Sequence, residues 1–534
     1  MEKCEKNKRN DLSPKVYINQ ITFNDNTCLS LNHNSIVVFT GANNCGKSQV
    51  LRDIEGQIDD SNHQAPIVLH NLTCEYVGSI EEETFFNKHF SHNDRGIYSF
   101  AGADSLFTKE SLISHWNNHE LQLGLNKLFC KRLDTTERLT ISDPLVRSPE
   151  AEIHPLFKLL KSEALAQKIS DYFHKAFGMD LLVNRNNMSH LPLHVGIAPD
   201  KSKYTIDKQD DYYMQVDDMP LLHMQGDGMR SFTSILLDAF TSDYCITLID
   251  EPEAFLHPPQ ARLLGRLLVE NQGEEKQLFI ATHSEDFLQG LLDTDSENVT
   301  VIRIDRVQSK NKICILNNHK IKELWRNPIL RYSSILSGLF HQKVAVCESD
   351  YDCLFYQAVI DSIYESKNQL APDMLFTYCG GKNRMKDVTA SLSVLNVPVV
   401  AICDFDILDD KQSFKSITNS IGIDWEAEIA DNMKIIYDSM NAKNCSGKNA
   451  WNDIKRIGKA GFTGDEPSAY EKVEKICKSH GLFIVPVGEM ECFDKTINKQ
   501  KKEWVYSVLQ KYDLSNEEKL RGAREFVQEI VDFR

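Results

Sequence analysis

The sequence predicts an α/β protein in which two parallel-sheet domains follow one another along 534 residues. Three observations carry this prediction. A glycine-rich loop with phosphate-binding spacing follows a short apolar strand at residues 36–48. Two later apolar strands, at 246–251 and 277–283, end in an acidic pair and in a histidine. After residue 341, strands and helices alternate again, which is typical of a parallel sheet with crossover helices.

The first domain is built around the strand 36–39 and the P-loop GANNCGKS at 41–48. Its glycines let backbone N–H groups turn toward a polyphosphate, and the helix that follows presents its positive end to the same group. Lys47 is expected to reach the β- and γ-phosphates, and Ser48 to bind Mg²⁺. The residues of this segment expected to contact the nucleotide are Asn43, Asn44, Gly46, Lys47, Ser48 and Gln49. Cys45 is interpreted as a small residue in the loop, with a redox switch as the alternative.

Composition limits the classes of function. The chain has 41% apolar and 26% charged residues, as an ordinary globular protein does. Its net charge of −17 excludes a general electrostatic coat of nucleic acid, so contact with DNA or RNA is confined to a groove or to carboxylates bridged by metal ions. The 14 cysteines are scattered singly without zinc spacing, the N-terminal segment is polar, and no apolar run approaches the ~20 residues that span a bilayer. We therefore expect a cytoplasmic protein with reduced thiols and no membrane association.

Two strand ends supply the other groups that hydrolysis of a nucleoside triphosphate needs. Asp250 follows an apolar strand and is placed to bind Mg²⁺, while the adjacent Glu251 is a candidate general base for the attacking water. His283 follows the next strand and is a candidate contact of the γ-phosphate. Between these strands and the P-loop, the segment GDGMRS at 226–231 leads into an apolar helix. Because several local cues agree, they favour a hydrolytic nucleotide site over unrelated turns.

Residues 35–290 resemble the ABC-type ATPase head of the SMC/Rad50-like group, through the motifs GANNCGKS, DEPE and THS. The resemblance implies ATP and Mg²⁺ as cofactors and a homo-oligomer, a dimer or tetramer, assembled through the heads. It places GDGMRS where that group has its Leu-Ser-Gly-Gly signature loop, so Ser231 and Gly228 are expected to cap the γ-phosphate bound by a partner subunit. It also implies a glutamine beyond the P-loop helix, for which Gln64 is a candidate.

The predicted domains are an ATPase domain at 1–317 with an insertion at about 60–215, a helical connector at 318–340, and a second domain at 341–534 with an insertion at about 409–480. In the first insertion, apolar residues at helical spacing predict one amphipathic helix over 154–177. In the second insertion, the basic stretch 442–462 is either a solvated loop with a packed aromatic or a contact for a phosphate backbone, with Trp451 and Phe462 stacking on bases.

Acidic residues follow the strands of the second domain. Glu348 and Asp352 come after the strand 343–347, Asp404 and Asp406 after 397–403, and Glu489 and Glu491 after 482–487. Because the carboxyl ends of parallel strands meet at one edge, these carboxylates are expected to converge and to need cations against their mutual repulsion. Mg²⁺ or Mn²⁺ fits this need, and one or two such ions would activate water and stabilise a phosphodiester transition state.

This half resembles a Toprim domain, where an isolated Glu and an Asp-x-Asp pair hold catalytic metal. An ATPase head followed by Toprim is the architecture of the OLD (overcoming lysogenization defect) family of nucleases. The resemblance implies Glu348 and Asp404 as catalytic residues, and as metal ligands Glu348, Asp352, Asp404, Asp406, and Glu489 or Glu491. The family has Gly after the first glutamate, where this chain has Ser349. The family also uses a late lysine, for which Lys501, Lys502 and Lys519 are candidates.

The resemblance implies an ATP-regulated, metal-dependent endonuclease in bacterial defence against phage, with DNA as the first substrate and tRNA as another option. Members of the family act alone, beside a helicase, or beside a retron reverse transcriptase with its RNA–DNA hybrid, so these are the implied partners. Two other interpretations stay open. One is an ATP-driven sensor or scaffold that holds a toxin partner and has an inactive Toprim domain. The other is a DNA-repair ATPase, which needs a long arm that the sequence does not show.

Overall fold

The computed structural model describes residues 13–59, 65–92, 96–100, 105–146, 154–186, 190–204, 209–308, 310–316, 319, 321–323, 335–445 and 450–533. The chain divides into two compact units, residues 1–318 and 319–534. Most of the predicted connector 318–340 lies outside the described part of the chain. No helix among the described residues combines the length and the apolar character that a bilayer crossing requires.

The strands of the first unit are β1 (Lys15–Phe23), β2 (Cys28–Ser30), β3 (Ile36–Thr40), β4 (Leu69–Val77), β5 (Ser91–His92), β6 (Tyr98–Ser99), β7 (Cys130–Leu133), β8 (Leu145–Val146), β9 (Asp180–Val183), β10 (His190–Leu191), β11 (Leu193–Gly196), β12 (Ile246–Asp250), β13 (Gln277–Ala281), β14 (Val299–Val307) and β15 (Lys310–Ile315). Its α-helices cover Lys47–Ile58, Glu83–His89, Lys109–Asn117, Glu137–Thr140, Pro155–Lys161, Glu163–Phe177, Gln209–Asp217, Asp227–Thr241, Pro258–Glu270 and Glu285–Leu292.

A six-stranded sheet organises the first unit, with the strand order β15-β14-β3-β13-β12-β7. The strands from β14 to β7 pair in parallel, and β15 pairs antiparallel with β14. Every residue of β3 and of β13 is buried, as expected of strands covered on both faces. Because β3, β12 and β13 end at the same edge, the sheet brings the P-loop, the acidic pair and the histidine together there.

A second, antiparallel sheet in the order β2-β1-β4 is tied to the larger one by a buried amide. The side chain of Gln277, at the start of β13, accepts a hydrogen bond from the Ile18 N–H over 2.8 Å. It also donates to the carbonyls of Ile18 and Asn32, over 2.8 and 2.9 Å. One side chain thus satisfies three backbone groups that would otherwise be costly to bury.

The hairpin of β14 and β15 lies beside the P-loop. The Asn311 amide donates a hydrogen bond to the Cys45 carbonyl over 2.5 Å. The carbonyl of Ile304, in β14, would stand only 2.2 Å from a Cβ atom placed on Gly41. The last hairpin of the first unit therefore supports one side of the loop.

The predicted single helix over 154–177 is wrong, because the chain forms two helices, Pro155–Lys161 and Glu163–Phe177. Ser162 between them is extended, with φ −125° and ψ 107°, and its Oγ accepts a hydrogen bond from the Leu165 N–H over 3.2 Å. A serine hydroxyl that caps the second helix in this way competes with continuous helix formation. Apolar spacing could not reveal this break, because both helices bury faces of the same periodicity.

The second unit contains the strands β16 (Lys343–Cys347), β17 (Met374–Tyr378), β18 (Val399–Cys403) and β19 (Leu482–Ile484), paired in parallel in the order β17-β16-β18-β19. Its α-helices cover Asp350–Ser366, Lys382–Val394, Lys411–Ser420, Ala430–Cys445, Ala450–Ile457, Glu466–Ser479, Lys501–Lys511 and Arg521–Asp532. One core joins the sheet to the last helices through Trp504, which is fully buried, packs on Phe355 with ring centroids 5.1 Å apart, and donates Nε1–H to the Asp494 carbonyl over 3.1 Å.

The insertion at 409–480 is largely helical where the structure describes it, so the prediction of a solvated loop over 442–462 is wrong. The helix Ala450–Ile457 occupies the middle of that stretch. Phe462 is buried against Phe405 and Tyr470, with centroid distances of 5.5 and 5.3 Å, and is not available to stack on bases. Trp451 is half-buried, with its ring 6.0 Å from that of Tyr437.

Candidate functional site

The P-loop has the backbone conformation that glycine makes accessible. Gly41 has φ +141° and Gly46 has φ +107°, both in the region that other residues rarely adopt. Lys47 is buried and donates from Nζ to the carbonyls of Gly41 and Ala42, over 2.7 and 2.8 Å. Burial lowers the pKa of this lysine. Its ammonium therefore lies inside the loop, on carbonyls that it has to exchange for phosphate oxygens.

Ser48 and Asp250, the two predicted Mg²⁺ ligands of the first unit, are in direct contact. Ser48 Oγ donates a hydrogen bond to Asp250 Oδ1 over 2.9 Å, although the two residues lie on different elements of the sheet edge. A hydroxyl and a carboxylate in contact at the start of a P-loop helix form an oxygen donor pair of the kind that Mg²⁺ prefers. The donor chemistry of the described residues thus fits the ion.

Glu251 and His283 also come together. Glu251 has φ +48°, uncommon outside glycine, and its N–H donates to the Ala281 carbonyl over 2.8 Å. The carboxylate Oε1 lies 3.3 Å from His283 Nε2, and both side chains are partly exposed. Burial, with the Lys47 charge as a smaller cause, lowers the pKa of His283 to about 4. The histidine is therefore a neutral hydrogen-bonding group beside the candidate general base.

Two residues of this edge were not predicted from the sequence. Arg138 is fully buried and donates from Nη1 to the Asp250 carbonyl and from Nη2 to the Glu251 carbonyl, over 2.9 and 3.0 Å. Glu253, the second glutamate of the DEPE motif, accepts the His283 N–H at Oε1 over 2.7 Å, and burial raises its pKa. The motif itself could have suggested Glu253. No local pattern marks Arg138, which follows β7 far upstream in the chain.

The other residues predicted to contact the nucleotide differ in their exposure. Asn43 and Asn44 are exposed, and Asn44 has φ +61°. Gln49 donates to Asp53 Oδ1 over 2.7 Å. Ser231 is fully buried in the helix Asp227–Thr241, because that helix begins within the segment 226–231 that was predicted to precede it. Its position does not support a role in capping a partner's phosphate, whereas Gly226 and Asp227 at the helix start are exposed. Gln64 lies outside the described residues.

The second unit brings Glu348 and Asp404 together at the carboxyl edge of its sheet. Glu348 Oε1 accepts a hydrogen bond from the Asp404 N–H over 3.1 Å. Burial, followed by the charges of Asp406 and Asp352, raises the pKa of Glu348 to about 7. Burial and then the charge of Glu348 raise the pKa of Asp404 well above its ordinary value. These are carboxylates whose ionised forms lack compensation, which is what a hard divalent cation supplies.

Asp352 is held by Ser349, the residue that directly follows Glu348. Ser349 donates to Asp352 Oδ2 from both its N–H and its Oγ, each over 2.9 Å, and the two residues form the capping box of the helix Asp350–Ser366. Burial raises the pKa of Asp352, and the hydrogen bonds from Ser349 oppose that rise. The serine therefore fixes the orientation of a predicted metal ligand.

Asp406 and Glu489 are joined by a lysine. Lys455 Nζ lies 3.3 Å from Asp406 Oδ2 and 2.9 Å from Glu489 Oε1. Lys382 Nζ stands 3.7 Å from the other oxygen of Asp406. Glu491 instead accepts a hydrogen bond from the backbone N–H of Lys501 over 2.5 Å. The acidic edge thus holds two cationic side chains that were not predicted.

The three late lysines lie elsewhere. The Lys501 contact with Glu491 is made by its backbone, Lys502 Nζ is 5.7 Å from the Tyr506 ring centroid, and Lys519 Nζ donates to Thr496 Oγ1 over 3.0 Å. Among the described residues, no three His, Cys, Asp or Glu side chains already form a metal-binding group. The acidic edge therefore offers suitable donors in an arrangement neutralised partly by lysine.

Comparisons with known proteins concern the first unit. Residues 36–288 match the family described as "AAA domain, putative AbiEii toxin, Type IV TA system". No curated protein matches the chain.

Several solved SMC heads match part of this chain. A SMC head bound to the C-winged helix domain of ScpA is 13% identical with a TM-score of 0.36, over 57% of this chain and 99% of that one. The SMC head domain from Thermotoga maritima is 11% identical with a TM-score of 0.29, over 57% and 100%. A third, derived from Pyrococcus furiosus, is 12% identical with a TM-score of 0.32, over 58% and 98%. At this level the likenesses say nothing about substrates or partners.

Proposed function

We propose that the protein is an ATP-regulated, divalent-metal-dependent nuclease that cuts nucleic acid, DNA in the first place, in bacterial defence against phage. The observation that carries the proposal is the meeting of Glu348 and Asp404 at the carboxyl edge of a parallel sheet. A resident divalent cation relieves the repulsion between such carboxylates, and an ATPase domain on the same chain supplies a control element. The motif resemblance to OLD nucleases supports the same combination.

In the first unit, Lys47 exchanges the carbonyls of Gly41 and Ala42 for phosphate oxygens when ATP binds. Ser48 and Asp250 would hold Mg²⁺, and Glu251 would accept the proton of the attacking water. His283, neutral at physiological pH, is available to hydrogen-bond the γ-phosphate or the water. The resulting heads assemble as a homo-oligomer around ATP.

In the second unit, Glu348, Asp404 and Asp352 would hold a first divalent ion, and Asp406 with Glu489 would hold a second. Such an ion would lower the pKa of water and stabilise charge on a phosphodiester. Ser349 orients the Asp352 carboxylate for this role by donating a hydrogen bond to Oδ2. Burial raises the pKa of Glu348 to about 7 in the metal-free chain, so metal binding there would release a proton and would be weaker at low pH.

The test uses the full chain with Mg²⁺ or Mn²⁺ on linear DNA, supercoiled DNA and tRNA, with and without ATP. We expect cleavage by the unmodified protein and its loss in Glu348→Gln and Asp404→Asn, while ATP hydrolysis continues. The matched control is Glu365→Gln, an exposed glutamate of the same unit. Cleavage that persists in both acidic-edge variants, or that is absent under every condition, contradicts the proposal.

A second candidate function is an ATP-driven sensor that holds a toxin partner and has a catalytically idle second unit. The pairing of Asp406 with two lysines favours it, because these cations already neutralise part of the acidic edge. Phage protection in cells separates the two functions. A sensor loses protection in Lys47→Met but keeps it in Asp404→Asn, whereas a nuclease loses protection in both.

A further inference from the structure

Lys455 stands apart from the other residues of the acidic edge, because it enters from the insertion at 409–480 and not from a sheet strand. Its Nζ bridges Asp406 Oδ2 at 3.3 Å and Glu489 Oε1 at 2.9 Å. The carboxylates belong to the segments that follow β18 and β19, so the ammonium joins two adjacent strand ends. The lysine side chain is 43% exposed, which leaves it a path into solvent.

The backbone around Lys455 is fixed by two glycines. Gly458 has φ +65°, and a Cβ atom there would lie 2.1 Å from the Pro486 carbonyl oxygen. Gly488 has φ +118°, and a Cβ atom there would lie 2.3 Å from the carbonyl oxygen of Lys455 itself. The end of the helix Ala450–Ile457 is therefore in backbone contact with the turn that carries Glu489.

The Lys459 N–H donates a hydrogen bond to the Pro486 carbonyl over 3.0 Å, which also joins the end of this helix to the turn that carries Glu489. The turn is joined in addition to β18, because the Phe405 N–H donates to the Gly488 carbonyl over 2.8 Å. The helix end, the Glu489 turn and the segment that carries Asp406 are thus held in one backbone network. The place of the ammonium is set by this network and not by a chance surface pairing.

We propose that Lys455 is a built-in counterion that occupies the position of the second divalent metal, so that metal binding at Asp406 and Glu489 requires its displacement. Both a lysine ammonium and a divalent ion are satisfied by these two carboxylates, but they cannot occupy the space between them together. The inference rests on the proposed metal-dependent site, and it concerns metal affinity, not cleavage.

The need to displace Lys455 lowers the affinity of Asp406 and Glu489 for a divalent ion. A half-exposed ion pair contributes little free energy, because water screens its charges. Removing a competitor that makes two such pairs is expected to tighten the binding of Mn²⁺ to the weaker of its sites by about three- to tenfold. Lys455→Met keeps the length of the side chain and removes the charge. Lys455→Gln repeats the test with a polar neutral side chain, and Lys455→Arg retains the cation.

The matched control is Lys459→Met, which removes the same charge one helical turn away, where Lys459 faces Glu474 at 3.7 Å. Mn²⁺ binding to the full chain, without nucleic acid, is measured by isothermal titration calorimetry and by the electron paramagnetic resonance signal of free Mn²⁺. Tighter binding in Lys455→Met and Lys455→Gln, with unchanged binding in Lys455→Arg and Lys459→Met, supports the inference. The gain is expected to vanish in an Asp406→Asn background, where the shared ligand is gone.

Three outcomes overturn the inference. In the first, Lys455→Met and Lys455→Gln bind Mn²⁺ no more tightly than the unmodified chain. In the second, Lys459→Met gains as much affinity, which shows a general effect of charge. In the third, none of the chains binds Mn²⁺. Cleavage is assayed separately, so a chain that gains metal affinity but cuts nothing contradicts the nuclease proposal and leaves the counterion inference standing.

Discussion

Replacing Arg138 by methionine tests the way in which the first unit positions its acidic strand end. Arg138 is fully buried, and its two Nη groups hold the carbonyls of Asp250 and Glu251 at 2.9 and 3.0 Å. Methionine fills a similar volume and donates no hydrogen bond. The substitution therefore leaves two buried carbonyls without these partners, next to the residue with φ +48°.

The magnitude follows from two opposing contributions. Two hydrogen bonds from a charged donor contribute roughly 3–6 kcal/mol together, and leaving their acceptors unsatisfied costs stability. Removal of a buried guanidinium regains part of its desolvation penalty. We expect a net loss of about 2–4 kcal/mol in the free energy of unfolding of the first unit. The turnover number for ATP is expected to fall at least about tenfold, equivalent to about 1.4 kcal/mol, because Glu251 loses its orientation.

The assay combines urea denaturation of the full chain with steady-state ATP hydrolysis and nucleotide binding. Arg266→Met is the control, since Arg266 forms a surface ion pair with Glu270 at 2.9 Å on the helix Pro258–Glu270. We expect that control to change stability by less than about 1 kcal/mol. An Arg138→Met chain that keeps both the urea midpoint and the turnover number of the unmodified protein refutes the positioning role.

Three further predictions concern single residues. Gly41→Ala is expected to abolish nucleotide binding, because its Cβ would meet the Ile304 carbonyl oxygen at 2.2 Å, whereas Gly273→Ala, with its nearest atom at 3.8 Å, retains binding in the same fluorescence titration. Burial raises the pKa of Glu348 from 4.5 to about 7, so without metal the free energy of unfolding falls by roughly 3 kcal/mol as pH rises through that window. Glu348→Gln is expected to reduce this slope in urea denaturation in EDTA, while Asp404 and Asp352, whose pKa values are also raised, supply the remainder. A slope equal to that of the unmodified chain contradicts the cause. Burial lowers the pKa of His283 to about 4, so the stability that its neutral form contributes is lost as pH falls from 6.5 to about 4. An NMR titration of the imidazole with a midpoint above pH 6 contradicts the lowered pKa.

Short motifs predicted the parts of the site that depend on local chain geometry. The P-loop and the residues at the ends of β12 and β13 could be located because each lies directly after an apolar strand. Parallel strands then bring those ends to one edge, which is how the chain places Ser48 within 2.9 Å of Asp250. This contact between Ser48 and Asp250 follows from the order of the strands and helices along the chain.

Residues that act from outside those motifs could not be found in this way. Arg138 and Lys455 reach their carboxyl and carbonyl partners across long separations in sequence, and nothing in their neighbourhoods distinguishes them from other basic residues. Ser231 shows the opposite error, since the segment 226–231, predicted as a signature loop, is the start of a helix that buries this serine. Local composition reports the conformation of a segment, whereas these roles depend on which distant segment packs against it.

The hairpin of β14 and β15 contacts the P-loop through Asn311 and Ile304. Asn311 holds the Cys45 carbonyl, and β15 ends at Ile315, shortly before the second unit begins at His319. The strand that closes the six-stranded sheet at this side therefore also supports the phosphate-binding loop, so the edge of the sheet and the loop share one hydrogen-bonded contact.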